Sequence, residues 1–273
     1  MTTAPRPVRA LAVGARARVV LVLASAAGLA AFAWPLVVSP RPDATGTGHV
    51  LDAPLVFLLT LPVLVVVLLA EISAGGIDAK ALALLGVLSA VNAMLRPLGA
   101  GVAGIETVFF LLVLAGRVFG PGFGFVLGST SLFASALLTA GVGPWLPFQM
   151  LAASWVGLGA GLLPRRVRGR AEIAMLGLYG VVSAYAYGLL MNLSFWPFAV
   201  GPGTQVSFVA GGPVLENLRR FLGFTLVSST AGWDTGRALT NLVAILLVGP
   251  AVLVALRRAA RRAAFDAPVS FSP

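Results

Sequence analysis

The residues able to do chemistry in this chain are few, and they stand at the ends of apolar runs. Glu106 opens one run and Trp233-Asp234 precede another, with Arg96 and Arg237 at neighbouring run ends. Gln149 and Asn192 are neutral amides near run ends, and Trp145 and Trp196 lie close to them in sequence. Such a set can hold polar groups by hydrogen bonds and cover a flat ligand with rings. It is poorly equipped for catalysis. The single histidine, His49, lies in a loop, and cysteine is absent, which removes disulfides and thiolate metal sites. No Walker A sequence occurs, so the chain has no P-loop of its own for ATP hydrolysis. Proton and ion relays use carboxylates deep in a span, whereas here the acidic residues lie near run ends. The chain reads as a binder without its own energy source and not as an enzyme; no cofactor or metal is expected.

The elements that must position these residues are membrane helices. Charged residues make up 10% of the 273 and hydrophobic ones 59%, with a mean hydropathy of +0.98. A soluble surface needs roughly 25% charged residues, so lipid is the main solvent of this chain. Eight apolar runs follow one another: 19–38, 54–70, 80–95, 107–119, 123–140, 148–163, 172–195 and 237–256. The first carries Ala31-Phe32-Ala33, a small-x-small cleavage pattern, but exceeds the usual signal core. We read it as a retained span, with cleavage as the alternative. With both termini in the cytoplasm, fourteen of the nineteen basic residues fall inside, and only Arg41, Arg96, Arg219, Arg220 and Arg237 outside. The net charge of +10 therefore reports topology and not nucleic-acid binding. A ninth span at 214–230 would put the RRAARR tail outside, so that segment is expected to be an outer-face helix or re-entrant piece. Leu215, Leu218 and Leu222 give it an apolar face.

On this topology the outer face carries three elaborate loops, 96–106, 141–149 and 196–235, while the inner loops are short and mostly arginine. Simpler roles are open to each residue. Tryptophans anchor at membrane interfaces, Arg96 and Arg237 can snorkel, and Glu106 can sit at a helix N-terminus. Gln149 and Asn192 can bond neighbouring helices. Two helices also carry small-xxx-small spacing: Ala79/Ala83 and Gly86/Ala90 in one, Gly157/Gly161 in another. Such spacing lets another helix approach closely, inside the bundle or on a separate protein.

The block GRVFGPGFGFVLGSTSLFASALLTAGVGPWLPFQMLAASWVGLGAGLLP resembles the core of the substrate-binding S components of energy-coupling factor (ECF) vitamin transporters. The Gly-Pro-x-x-Gly turn, the Gly-Pro-Trp-x-Pro-x-Gln loop, the following Gly-x-Gly-Ala-Gly helix and GWDTGRALTN carry the likeness, which spans about residues 79 to 256. The resemblance implies an all-α integral membrane protein with a six-helix core at 79–256. Two extra transmembrane helices within 1–72 would precede it, a departure from the minimal plan, and a basic cytoplasmic tail, 257–273, would follow. It implies a multi-pass plasma-membrane subunit that captures a vitamin outside and associates with a transmembrane T component and two cytoplasmic ATPases. On that implication Arg96, Glu106, Trp145, Gln149, Asn192, Trp196, Trp233 and Asp234 are the ligand-side residues. The family's docking surface carries over to Ala79, Ala83, Gly86 and Ala90. The loops most resemble those of S components linked to cobalamin and related corrinoids; riboflavin, a thiamine precursor or a deazapurine also suits aromatic loops. A membrane scaffold that binds no small molecule is the alternative from another class.

Overall fold

The structure, a computed structural model, describes residues 14–37, 66, 70, 79–99, 104–143 and 145–263. The second expected span, 54–70, lies outside the described residues apart from Val66 and Ala70, as does most of the basic tail beyond Ala263. Every regular element among the described residues is helical. They are α1 (Ala15–Phe32), the short α2 (Trp34–Val37), α3 (Ala79–Leu95), α4 (Val108–Phe119), α5 (Pro121–Leu138), α6 (Leu146–Leu162), α7 (Arg170–Ala199), α8 (Val214–Thr225), α9 (Thr235–Leu247) and α10 (Gly249–Ala263). A 3-10 turn, Arg96–Leu98, ends α3. Among the described residues four helices are long and apolar enough to cross a membrane, or five if the bent pair 214–247 and 249–263 counts as one span. The shorter α4 and α6 are apolar too.

The boundaries follow from local chemistry. Gly120 takes φ of 98°, which favours glycine, and Pro121 starts α5 where no backbone N–H is required, so α4 and α5 part there. Pro147 occupies the first turn of α6 in the same way. Gly169, at φ of 63°, precedes α7. In α7, Pro197 is tolerated because it lies near the end of a 30-residue helix.

Side-chain bonds define the two ends of the bundle. At one, Arg117 donates to the carbonyls of Leu163, Pro164 and Val167 and to Glu172, and Lys80 donates to the Ala263 carbonyl. Arg165, Arg168, Arg257 and Arg261 cluster there, so we call it the arginine end. At the other, the loop end, Arg96 meets Gln149 and Glu106 meets Arg237. The chain passes between these ends from α3 to α9.

Helices α4, α5 and α6 pack at backbone distance. A Cβ on Gly157 would strike the backbone of Gly124, one on Gly161 would strike Gly120 and Pro121, and one on Gly128 would strike Ala153. The Gly157/Gly161 spacing therefore serves packing inside the bundle. Polar bonds tie α3 to α5, where Ser89 and Thr130 share a hydrogen bond of 2.7 Å and Asn92 donates to Ser131 at 3.0 Å. Helix α1 joins this core. Phe32 packs edge-on to Phe148, Trp155 donates to the Ser25 hydroxyl, and Gly28 leaves room for Leu151 and Trp155.

The segment 214–230, expected as an outer-face helix or re-entrant piece, is helical and joins the last span without a loop. Helix α8 runs through a π-helix, Leu226–Asp234, directly into α9. The expected last span, 237–256, is instead broken: α10 departs at 67° after Leu247. Gly249-Pro250 is the local cause, because Pro250 cannot continue the α9 hydrogen-bond ladder.

Candidate functional site

At the loop end, residues 96–99 and 104–107 lie against one another near the helix ends. The Thr107 hydroxyl donates to the Leu95 carbonyl, and Gly99 lies against the Ile105 backbone. Gly104, at φ of 75°, lies so close to the Trp233 backbone that any side chain would collide with it. This contact delivers Glu106 to the start of α9. There Arg237 donates from Nε to Glu106 Oε2 at 2.6 Å and from Nη1 to Asp234 Oδ1 at 2.8 Å. Its guanidinium lies 4.9 Å from the Tyr187 ring centroid and 5.6 Å from that of Phe109. Arg237 and Asp234 are buried and Glu106 is partly so. One cation thus links two carboxylates over two aromatic faces, and each burial would be costly without the others.

Asp234 owes its place to the π-helix. Five residues per hydrogen-bonded turn bring Ser229 into line with Asp234, and the serine donates to Oδ2 at 2.9 Å. Thr235 donates to the Thr230 carbonyl with the same spacing and shares a 2.9 Å hydrogen bond with Tyr185. On the facing helix, Gly188 leaves the space that the Asp234 carboxylate fills.

Next to this cluster, Arg96 donates to Gln149 Oε1 at 3.0 Å, joining the end of α3 to the first turn of α6. Five predicted or neighbouring groups, Arg96, Gln149, Glu106, Asp234 and Arg237, therefore gather at one end, delivered by α3, α6, the 96–107 connection and α9.

The remaining predicted residues are placed differently. Trp145 folds back over Gly143, donates its indole N–H to the Gly141 carbonyl at 3.3 Å, and keeps 39% of its surface exposed. Trp233 is 43% exposed at the rim. Asn192 is partly buried on α7, and its Nδ2 has no hydrogen-bond partner among the described residues. Trp196 is fully buried. Its N–H bonds the Val206 carbonyl at 2.7 Å, and its rings pack with Phe208 and Phe221, while Trp34 meets Phe198 and Phe208 and bonds the Ser194 carbonyl. Trp196 thus holds the cap formed by α2, the end of α7, residues 200–213 and α8. Arg237, expected to snorkel, is instead buried in the cluster, and Phe109 joins it as a residue that no motif points to. The signal was there in part, since Asp234 and Arg237 are three apart and share a helix face.

Ala79, Ala83, Gly86 and Ala90 all lie exposed on α3, and a Cβ on Gly86 would meet nothing within 4 Å. Among the described residues nothing packs on Gly86, in contrast to the glycines of α6.

A family model described as "ECF transporter, substrate-specific component" matches residues 80–260, more than half of the chain. No curated protein and no solved structure matches.

Proposed function

Because the chain belongs to the family of ECF transporter substrate-specific components, we propose that it captures a vitamin-class ligand at its loop end and that this end faces outward. Its role in that family is that of a membrane-embedded transport subunit and not an enzyme, working with a T component and ATPase subunits. The observation that carries the site is the gathering of Arg96, Gln149, Glu106, Asp234 and Arg237 at one end of an apolar bundle. Ionisable groups in such surroundings are costly unless paired, and they mark ligand and ion sites. Arg237 and Asp234 form the buried floor. Arg96, Gln149 and Glu106, less buried, offer donors and acceptors to polar groups of a ligand. Trp145 and Trp233, both partly exposed, supply ring faces at the rim, and Trp196 supports the cap. The fourteen basic residues assigned to the inside support the orientation. Ala79, Ala83, Gly86 and Ala90, exposed on α3, are the docking face for the T component.

For the ligand we carry forward a corrinoid, whose side-chain amides suit Arg96 and Gln149 and whose bulk suits an aromatic rim. Riboflavin, a thiamine precursor and a deazapurine stand behind it. The test is the visible spectrum of the purified protein after incubation with cobalamin and removal of free ligand. Near-stoichiometric corrin absorbance, lost in Arg96→Ala and Gln149→Ala with thermal stability kept, would support it. Absence of absorbance removes the corrinoid, and mass spectrometry of any co-purifying molecule then identifies the class. An empty protein that also fails to associate with a T component would overturn the capture reading.

A further inference from the structure

The arginine end holds a second polar structure that ligand capture does not use. A cleft of about 390 Å³ opens there, lined by Arg165, Arg168, Gly169, Arg257 and Arg261, with Arg117 and Glu172 at its base. Val118 and Ala260 complete its walls. Among the described residues Arg117 and Arg257 share the one carboxylate, Glu172, and Arg168 and Arg261 add two further guanidiniums at the rim.

That carboxylate is already committed. Glu172 Oε1 accepts from Arg117 at 2.7 Å, and Arg257 Nη2 reaches both of its oxygens at 2.7 and 2.8 Å. Three further N–H groups of Arg117 go to carbonyls of the 163–167 turn. The base is thus a closed knot joining α4, α7 and α10, and it cannot neutralise the rim. Arg168 and Arg261 are exposed and make no ion pair with a described carboxylate. An anion is what would complete the cleft.

Its position selects the kind of anion. Helix α10 turns 67° from the last span and is amphipathic: Leu253, Leu256 and Ala260 are buried, while Arg258, Arg261 and Arg262 stay accessible. An arginine-rich amphipathic helix that departs from a span lies at the membrane interface. Leu247 and Val248, just before α10, and Val254 on it are exposed apolar residues, as a helix at the lipid boundary requires. Basic clefts between helix ends at headgroup depth suit lipid phosphates. We propose that this cleft binds the phosphate headgroup of an anionic phospholipid, with Arg168 and Arg261 as its outer clamps on a frame set by Glu172. Arginine forks pair two N–H groups with phosphate oxygens. The inference rests on the membrane setting and not on the ligand-capture reading.

Native mass spectrometry of the full chain, released from nanodiscs of mixed phosphatidylglycerol and phosphatidylcholine, tests it. We expect preferential retention of phosphatidylglycerol, reduced roughly tenfold or more in R168Q/R261Q. Because both side chains are exposed, the double variant is expected to melt within a few degrees of the parent in lipid-free detergent. Added phosphatidylglycerol is expected to raise the parent's melting temperature, and inorganic phosphate at equal concentration to leave it unchanged. Equal retention of the two lipids, or equal retention by parent and variant, overturns the proposal. Equal protection by inorganic phosphate reassigns the cleft to a soluble anion, and protection by an acidic protein partner alone reassigns it to a docking contact; either result also overturns it. Vitamin binding measured on the same double variant is expected to be unchanged, so failure here is distinguishable from failure of the capture reading.

Discussion

Arg237 carries more of the loop end than any other side chain. It is the single cation between Glu106 and Asp234 and the shared partner of the Phe109 and Tyr187 rings. Removing it leaves two carboxylates without a counter-charge in an apolar setting, an effect of about 3–5 kcal/mol for buried pairs. We expect Arg237→Ala to lower the unfolding midpoint in detergent sharply, as read by tryptophan fluorescence. Arg237→Lys should recover only part, because an ammonium lacks the fork that reaches both acids. Gly188→Ala tests the same geometry from the far side. Its methyl occupies the place of the Asp234 carboxylate, so it should destabilise as Arg237→Ala does, and combining the two should give less than the sum of their effects. Fully additive effects would show that Gly188 and Arg237 do not act on one cluster.

At the scale of the helices, two small-residue stripes that look alike in sequence behave differently. Gly157 meets Gly124 backbone to backbone, so Gly157→Val should force α5 and α6 apart and destabilise by on the order of 3 kcal/mol. Gly86 faces open space, so Gly86→Leu should leave the melting temperature within a degree or two. Thermal melts of the two variants side by side check this, and equal losses would show that this face of α3 is packed in the folded protein. The π-helix is a second lesson at this scale. Leu226–Asp234 converts a polar helix into the start of a span without a loop, and its five-residue repeat sets the Ser229–Asp234 bond. Ser229→Ala removes one donor from a buried carboxylate and should cost about 1–3 kcal/mol in the same assay.

For the whole molecule, the arrangement separates two polar regions. The groups proposed to meet a ligand gather at the loop end, the arginine cleft occupies the opposite end, and among the described residues the small-residue face of α3 lies exposed between them. Gly86→Leu should therefore keep vitamin binding while losing co-purification with a T component expressed alongside it. If both persist, docking uses another face. Helices α1 and α2 are part of the same body, since Ser25 and Phe32 of α1 contact α6 and Trp34 of α2 contacts α7. At least the first of the two N-terminal helices expected from sequence braces the bundle.

Much of this was legible in the residues themselves. Apolar length and low charge determined a helical membrane protein, because a spanning backbone in lipid must satisfy its own hydrogen bonds. Pro121, Pro147 and the glycines around them marked where helices begin, and clustered arginines separated the two ends. Single residues at run ends, Arg96, Glu106, Gln149 and Asp234, stood out because polar groups are rare in such a chain. Their partners did not. Glu106 is 131 positions from Arg237 and Glu172 is 85 from Arg257, and no local periodicity connects residues so far apart. Only the tertiary structure decided which carboxylate met which arginine, which glycine stripe was consumed inside the bundle, and that 214–247 is one helical course. Sequence periodicity reports which face of a helix is apolar; what lies against that face depends on how the chain returns.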